Sequence, residues 1–201
     1  MVQHDPTIYT IGHSNHSLDG FVSLLRRNEI VAIADVRSTP YSRRCGHFNR
    51  EPLQASLASH DVSYVYLGAE LGGRGVDGSS VDANGRVQYQ SVAESAAFRE
   101  GLRRVCSGSQ RMRLALMCTE GDPLECHRAI LVARMLTVRS VSVKHIHPDG
   151  HLETHRDAER RLVRIAGLLE RDLFRTEGEV LEDAYSRQES RIAYVVPGVR
   201  V

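Results

Sequence analysis

Two thiols, a carboxylate, an imidazole and a guanidinium fall within eleven positions of this chain. They belong to Cys118, Glu120, Cys126, His127 and Arg128. Apolar residues of strand length precede Cys118, and a run with helical spacing follows Cys126, so the pattern predicts a buried strand, a polar loop and a helix. Ligands bind at such turns in open α/β sheets, beyond the carboxyl ends of the strands. The segment is therefore the first candidate for a functional site.

A thiol near the start of a helix has a lowered pKa, which suits a nucleophile, a redox centre or a metal ligand. Cys126 is in that position, whereas Cys118 ends a core strand, where packing alone would explain a cysteine. The Cys-x7-Cys-His spacing is not a recognised zinc frame, so no metal ligands are assigned and metal binding stays an alternative. A cysteine-phosphatase or rhodanese loop needs a cysteine and an arginine about six positions apart in the sequence. Cys126 is too close to Arg128 for this spacing and Cys118 is too far from it.

Polar residues also follow the three strands predicted upstream. They form three pairs: His13 with Ser14, Asp35 with Arg37, and Glu70 with Arg74. Because the carboxyl ends of parallel strands share one edge of a sheet, we expect a single cleft there. We expect His13 to act as a general acid or base, since an imidazole titrates near neutrality, and Asp35 to serve as a base or an orienting carboxylate. The predicted catalytic residues are Asp35, His13, Cys126 and Glu120.

Five arginines could converge on an anion, namely Arg37, Arg43, Arg44, Arg74 and Arg128. Arg37 and Arg128 are the stronger two, because a strand end or a helix start fixes the backbone of each. For Arg37 the alternative is an ion pair with Asp35 or Glu120, and for Arg43 it is a solvated surface position. The predicted substrate-binding residues are Ser14, Arg37, Arg43, Arg74, Cys118, His127 and Arg128.

Apolar runs of strand length alternate along the chain with segments of helical period. Strands are predicted at residues 7–11, 30–36, 62–67, 114–117 and 141–146, and helices at 18–25, 52–58, 91–105, 126–138 and 154–171. This alternation predicts an α/β fold of Rossmann-like or flavodoxin-like type, with a mostly parallel sheet of about five strands flanked by helices. We expect a single domain over residues 1–201, with a core of about residues 7–171 and a peripheral C-terminal extension at 172–201. The long polar loop at 68–90 is typical of a functional segment.

The composition limits the classes of partner. A net charge of +1 argues against a protein built mainly to bind nucleic acid. No apolar run approaches the ~20 residues of a membrane span, and the sequence does not open with a secretory leader. We therefore expect a cytoplasmic protein without a membrane partner, whose four cysteines are reduced.

Several motifs, in the same order along the chain, resemble the domain of unknown function 488 family. They are Thr10-Ile11-Gly12-His13-Ser14, Asp35-Val36-Arg37 with Pro40 and Ser42-Arg43, Leu71-Gly72-Gly73, Cys118-Thr119-Glu120 and Cys126-His127-Arg128. The resemblance covers about Ile8 to Leu136 and implies an α/β sandwich in a bacterial-type cytosolic protein. It implies no particular reaction.

Three functions are compatible with these residues. The first is an enzyme acting on a phosphorylated or nucleobase-containing small molecule or on nucleic acid, with arginines holding the anion and Asp, His or Cys doing the chemistry. The second is a binding module for a nucleotide or nucleic acid that uses the same cleft without turnover. The third is a thiol-dependent metal or redox protein. The mixture of acid, imidazole, thiol and guanidinium favours the enzyme with a small anionic or nucleotide-like ligand. The sequence identifies neither a cofactor nor an oligomeric state.

Overall fold

A computed structural model of the chain describes residues 6–74, 80–169 and 173–197. The strands are β1 (Ile8–Gly12), β2 (Ala32–Asp35), β3 (Ser63–Tyr66), β4 (Leu114–Cys118), β5 (Val143–Ile146) and β6 (Leu152–Thr154). They form one sheet in the order β3-β2-β4-β1-β5-β6, in which β1 to β5 pair in parallel and β6 pairs antiparallel to β5. The predicted α/β fold with a mostly parallel sheet is confirmed.

The sheet has six strands rather than about five, because the chain turns back after β5 to form β6. The turn contains Pro148-Asp149-Gly150, and Gly150 has a φ of +88°. Pro, Asp and Gly each favour tight turns. The apolar pattern predicts Thr154 at the start of a helix, but Thr154 ends β6 and caps the next helix by accepting a hydrogen bond from the N–H of Asp157.

The helices cover both faces of the sheet. They are α1 (Leu18–Arg27), α2 (Arg50–Ala58), α3 (Gly68–Leu71), α4 (Tyr89–Glu94), α5 (Ala96–Ser109), α6 (Arg134–Thr137), α7 (His155–Ile165) and α8 (Glu177–Ile192). Side chains of α1 and α2 pack with Ile33 and Met117 on one face. Side chains of α5, α7 and α8 pack with Ala34 and Leu116 on the other. Since side chains alternate along a strand, neighbouring residues of β2 and β4 contribute to different cores.

Two predicted helices are interrupted. The helix expected at 91–105 is divided at Ser95, whose hydroxyl accepts a hydrogen bond from the N–H of Phe98 and so begins α5. The helix expected at 126–138 is a π-helix (Arg128–Ala133) that continues into α6, and a short 3₁₀-helix (Pro123–Glu125) precedes it. Part of the predicted loop at 68–90 forms α3 and the start of α4, and residues 75–79 within it lie outside the described residues.

The segment at 172–201, which the sequence places at the periphery, contributes α8 to the core. Val180, Ala184 and Tyr185 of α8 are buried. The Tyr185 hydroxyl lies 2.9 Å from His155 Nε2 and donates to Glu159 Oε1 at 2.9 Å. Buried polar contacts of this kind fix how α8 packs against α7, because leaving either partner unpaired in the interior is costly. None of the described helices is both long enough and apolar enough to cross a lipid bilayer.

Candidate functional site

A cleft of about 220 Å³ opens at the carboxyl edge of the sheet, beyond the ends of β2 and β4. This is the edge at which ligands bind in open α/β folds. Residues that follow β2 and β4 form the cleft together with the start of the π-helix, the turn after α3, and the segment after α8. Its lining residues include Arg37, Ser38, Thr39, Gly73, Arg74, Tyr89, Cys118, Thr119, Glu120, Glu125, Cys126, His127 and Tyr194.

Cys118, Cys126 and His127 form a sulfur–imidazole cluster in this cleft. The Sγ atom of each cysteine lies 3.8 Å from Nδ1 of His127. The three side-chain atoms that could bind a metal all lie within 4.8 Å of one another. His127 Nε2 lies 3.0 Å from the carbonyl oxygen of Val36, which can only accept a hydrogen bond, so the proton of a neutral ring is on Nε2. In the neutral ring the lone pair of Nδ1 faces the two sulfur atoms. Burial lowers the pKa of His127, but the negative charge and hydrogen bonding of Cys126 outweigh it and raise that pKa, which favours the protonated ring.

The local backbone explains how residues far apart in the loop meet. β4 ends at Cys118, and the Asp122 carboxylate caps the 3₁₀-helix by accepting from the N–H of Leu124, which turns the chain back toward the strand end. Gly73 packs against the imidazole so closely that a Cβ on it would lie 2.7 Å from Cγ of His127. A side chain at position 73 would displace the ring, so this glycine is required by the close approach.

The charges of the cluster are coupled. Burial raises the pKa of Cys126, but a hydrogen bond from Cys118 and the positive charges of Arg128 and His127 outweigh it, and the net pKa is well below the usual range. The hydrogen bond to Cys126, followed by burial, raises the pKa of Cys118. The N–H of Arg128 also donates to Cys126 Sγ at 3.4 Å. Of the two thiols, Cys126 therefore loses its proton first, and it is held as a thiolate by neighbouring donors.

Glu120 lies at the mouth of the cluster. Burial, and then the negative charge and hydrogen bonding of Cys126, raise the pKa of the Glu120 carboxyl. Part of the residue is exposed to solvent. A carboxylate in this position can exchange protons with a group bound in the cleft.

Arg128 is completely buried, and its guanidinium forms hydrogen bonds to backbone carbonyl oxygens. Its Nη1 donates to the carbonyl oxygen of Glu120 at 2.6 Å, and its Nη2 donates to that of Gly121 at 2.9 Å. These two bonds fix the loop between β4 and the 3₁₀-helix. Gly12 packs against the same loop, since a Cβ there would lie 1.7 Å from the carbonyl oxygen of Glu120. Arg128 therefore supports the loop and adds positive charge near Cys126, while its buried Nε has no hydrogen-bond partner among the described residues.

Asp35 and His13 belong to a second buried network, on the face of the sheet covered by α1 and α2. Asp35 has no exposed surface. Its Oδ1 accepts from the N–H and Nε of Arg37 at 3.1 and 2.9 Å, and its Oδ2 accepts from Arg37 Nη2 at 2.6 Å and the Tyr64 hydroxyl at 2.7 Å. All these donors are protein groups, so the carboxylate is already saturated. Neither Asp35 nor His13 lines the cleft.

His13 is held as a neutral ring in that network. Its Nδ1 donates to the carbonyl oxygen of Ser14 at 3.0 Å, and its Nε2 accepts from Arg37 Nη1 at 3.3 Å. The ring also stacks on Phe48 at 4.4 Å between centroids. Burial, followed by the positive charge of Arg37, lowers the pKa of His13 to about 4. Both ring nitrogens are occupied, so the described geometry gives His13 a packing role.

The four arginines predicted to bind an anion have different environments. Arg37 reaches the wall of the cleft, but Asp35 and the carbonyl oxygen of Phe48 hold its guanidinium. Arg74 is exposed and lines the cleft, with its guanidinium 4.4 Å from the ring centroid of Tyr194. Arg43 is exposed and does not line the cleft. Among the predicted anion-binding arginines, Arg74 is the one that combines exposure with a place in the cleft.

Ser14 also lies off the cleft, where its N–H donates to the carbonyl oxygen of Thr119 and its φ is +46°. The cleft also contains lining residues that were not predicted from the sequence. Ser38 and Thr39 directly follow Arg37, so their position after β2 could have identified them. Tyr194 comes from the far end of the chain, and no sequence signal links it to the cleft.

A protein-family model described as "Domain of unknown function DUF488" matches residues 17–135 of this chain. The matched range contains the Asp35-Arg37 segment and the whole sulfur–imidazole cluster. No curated protein and no solved structure matches the chain.

Proposed function

The chain belongs to the DUF488 family, whose description assigns no reaction, and on the basis of its own site we propose that it is an enzyme acting on a small anionic molecule. In this proposal the sulfur–imidazole cluster and Glu120 are the reacting groups, and Arg74 binds the anion. One observation carries the proposal: thiol, imidazole, carboxylate and a solvent-accessible guanidinium line the same cleft. Simple anion binding would not need the first three groups.

The size of the cleft favours a small substrate. Pockets that enclose drug-sized ligands measure roughly 300–1,000 Å³, and this one measures about 220 Å³. The two tyrosines that line it are not free for stacking on a nucleobase, because Tyr89 is buried and Arg74 covers the ring of Tyr194. These features support a phosphorylated or similarly charged small molecule over a nucleotide or nucleic acid.

Arg74 is the group to test first. A guanidinium forms bidentate, charge-assisted hydrogen bonds to phosphate or carboxylate oxygens. Each hydrogen bond to a charged group contributes about 1.5–3 kcal/mol, so loss of Arg74 should weaken anion binding by about 10- to 100-fold. The matched control is Arg43, an exposed arginine outside the cleft.

The experiment is a thermal-shift screen of the full chain against inorganic phosphate, pyrophosphate, small phosphate monoesters and nucleoside monophosphates. A bound ligand raises the unfolding temperature by mass action. We expect a small phosphorylated compound to stabilise the wild type and Arg43→Met equally, and Arg74→Met much less. Equal stabilisation of Arg74→Met would contradict the assignment of the anion site.

Turnover separates an enzyme from a binding module. Compounds that stabilise the protein are incubated with wild type and with Cys126→Ser, and the products are followed by mass spectrometry. We expect conversion by the wild type, and no conversion by Cys126→Ser although the ligand still binds. Binding without conversion of any stabilising compound would favour the non-catalytic module instead.

A further inference from the structure

We propose that Cys118, Cys126 and His127 bind a divalent transition-metal ion of the zinc class at the base of the cleft. This proposal deepens the proposed function, because the ion would lie at the reacting centre. Although the Cys-x7-Cys-His spacing matches no recognised zinc frame, the fold brings the three ligand atoms within 4.8 Å of one another.

The distances in the cluster fit tetrahedral coordination. With Zn–S near about 2.3 Å and Zn–N near about 2.05 Å, a tetrahedral ion separates S from N by about 3.6 Å and S from S by about 3.8 Å. Both Sγ-to-Nδ1 distances here are 3.8 Å. The two S–N separations therefore exceed the tetrahedral value by about 0.2 Å, and the two sulfur atoms lie within 4.8 Å of each other, so binding an ion needs a small inward movement of the three side chains.

The imidazole of His127 is oriented to act as a metal ligand. A histidine that binds a metal donates its other ring N–H to a carboxylate or a backbone carbonyl, which fixes the ring and makes the ligating nitrogen more basic. His127 Nε2 donates to the carbonyl oxygen of Val36, so Nδ1 is left to face both sulfur atoms. An ion would bind both sulfurs and this nitrogen together.

The composition of the donor set indicates the type of ion. Two thiolates and an imidazole select zinc-like ions over magnesium or calcium, which prefer oxygen ligands. Two thiolates, a neutral imidazole and a dication also sum to zero charge, which lowers the cost of burying them. Cys118 and Cys126 are 4% and 2% exposed, which suits buried ligands better than a freely accessible nucleophile.

The site has the form of a catalytic rather than a structural metal centre. Structural zinc sites have four protein ligands, whereas catalytic sites have three and leave one position for water or substrate. In the described residues the compact cluster contains three potential ligands. Thr119 and Glu120 line the cleft next to them. The open position would therefore face the cleft, which Glu120 also lines.

Metal binding is tested on the full chain, purified under reducing conditions and freed of metal with a chelator. Zn²⁺ is titrated against a chromophoric chelator, and Co²⁺ is added separately so that thiolate-to-cobalt charge transfer and tetrahedral d–d bands can be recorded. We expect one ion per chain and a spectrum with thiolate ligation. Cys118→Ser and Cys126→Ser should each weaken Zn²⁺ binding by at least about 100-fold, more than the loss of an outer-sphere partner does. The matched controls are Cys45→Ser and Cys106→Ser, whose thiols lie outside the cluster.

A second measurement does not depend on the folding of the variants. In the wild type, Zn²⁺ should protect Cys118 and Cys126 from alkylation, identified by peptide mass spectrometry, while Cys45 and Cys106 gain no protection. Failure of the reduced wild type to bind stoichiometric Zn²⁺ or Co²⁺ would overturn the proposal, and so would unchanged affinity in both cluster variants.

The outcomes for the metal and for the anion are independent. Suppose that the wild type binds no metal but is stabilised by a phosphate compound, and that Arg74→Met loses this stabilisation. The metal proposal would then be wrong, and the proposed function would stand with Cys126 as a nucleophile. One Zn²⁺ per chain without any Arg74-dependent anion response would support the metal site and contradict the anion substrate.

Discussion

Replacement of Asp35 by asparagine tests whether this residue holds the fold together or performs catalysis. The carboxylate accepts four hydrogen bonds, three of them from Arg37 and one from Tyr64. An asparagine side chain has one acceptor oxygen, so its amide N–H₂ must face two of those donors. The variant also leaves the buried guanidinium of Arg37 without its counter-charge.

The expected cost is large. Removing one partner of a buried ion pair destabilises a protein by about 3–5 kcal/mol, because the other charge stays buried and unpaired. A domain of this kind is stable by about 5–15 kcal/mol in total, so Asp35→Asn should lose a substantial fraction of its free energy of unfolding. Tyr64→Phe removes one of the four hydrogen bonds and should cost less, about 1–2 kcal/mol.

The assay is urea-induced unfolding at pH 7.5, followed by circular dichroism, with wild type and Asp19→Asn as references. Asp19 is an exposed carboxylate in the first turn of α1, so its change should cost at most about 1 kcal/mol. Folded Asp35→Asn should still bind the anionic ligand of the cleft. A variant as stable as the wild type that has lost turnover would refute this account and make Asp35 a catalytic residue.

Three further predictions concern stability. The pKa of His13 and of His155 is about 4 in the folded protein, against an ordinary value of 6.5, mainly because both are buried. As the pH falls, these histidines take up protons in the unfolded chain before they do so in the folded protein. Their contribution to the free energy of unfolding is complete above pH 6.5 and should be lost toward pH 4, by up to about 3 kcal/mol for each histidine. Urea midpoints that do not change over this range would contradict the prediction. Gly12→Ala should prevent folding or strongly displace the loop at Glu120, because the added Cβ would overlap the carbonyl oxygen of Glu120. A soluble variant with the melting temperature of the wild type would show that this loop can move to make room. Tyr185→Phe should cost about 1–3 kcal/mol, measured by thermal unfolding, because it leaves His155 without its hydroxyl partner. A loss below about 0.5 kcal/mol, half of one typical hydrogen bond, would show that the pair contributes little.

The main elements of the fold follow from local pattern. Buried parallel strands appear as continuous apolar runs, and α1 shows both its cap at Ser17 and its apolar stripe, so the alternation of strand and helix was sufficient to predict an α/β sheet. The sixth strand was not predicted, because Leu152–Thr154 is too short to show a period. The packing of α8 depends on contacts with α7 and the π-helix, which no local window of sequence contains.

The sequence by itself determined which chemical groups follow the strands and that they gather at one edge of a sheet. Tertiary structure alone decided which of them share a cavity. Side chains alternate between the two faces of a strand, so Asp35 points toward α1 and α2, where Arg37 and Tyr64 saturate it. Cys118 points to the opposite face, where the chain after the 3₁₀-helix returns Cys126 and His127 to it. Whether a polar group is free for chemistry depends on partners distant in the chain, and only the folded protein brings those partners together.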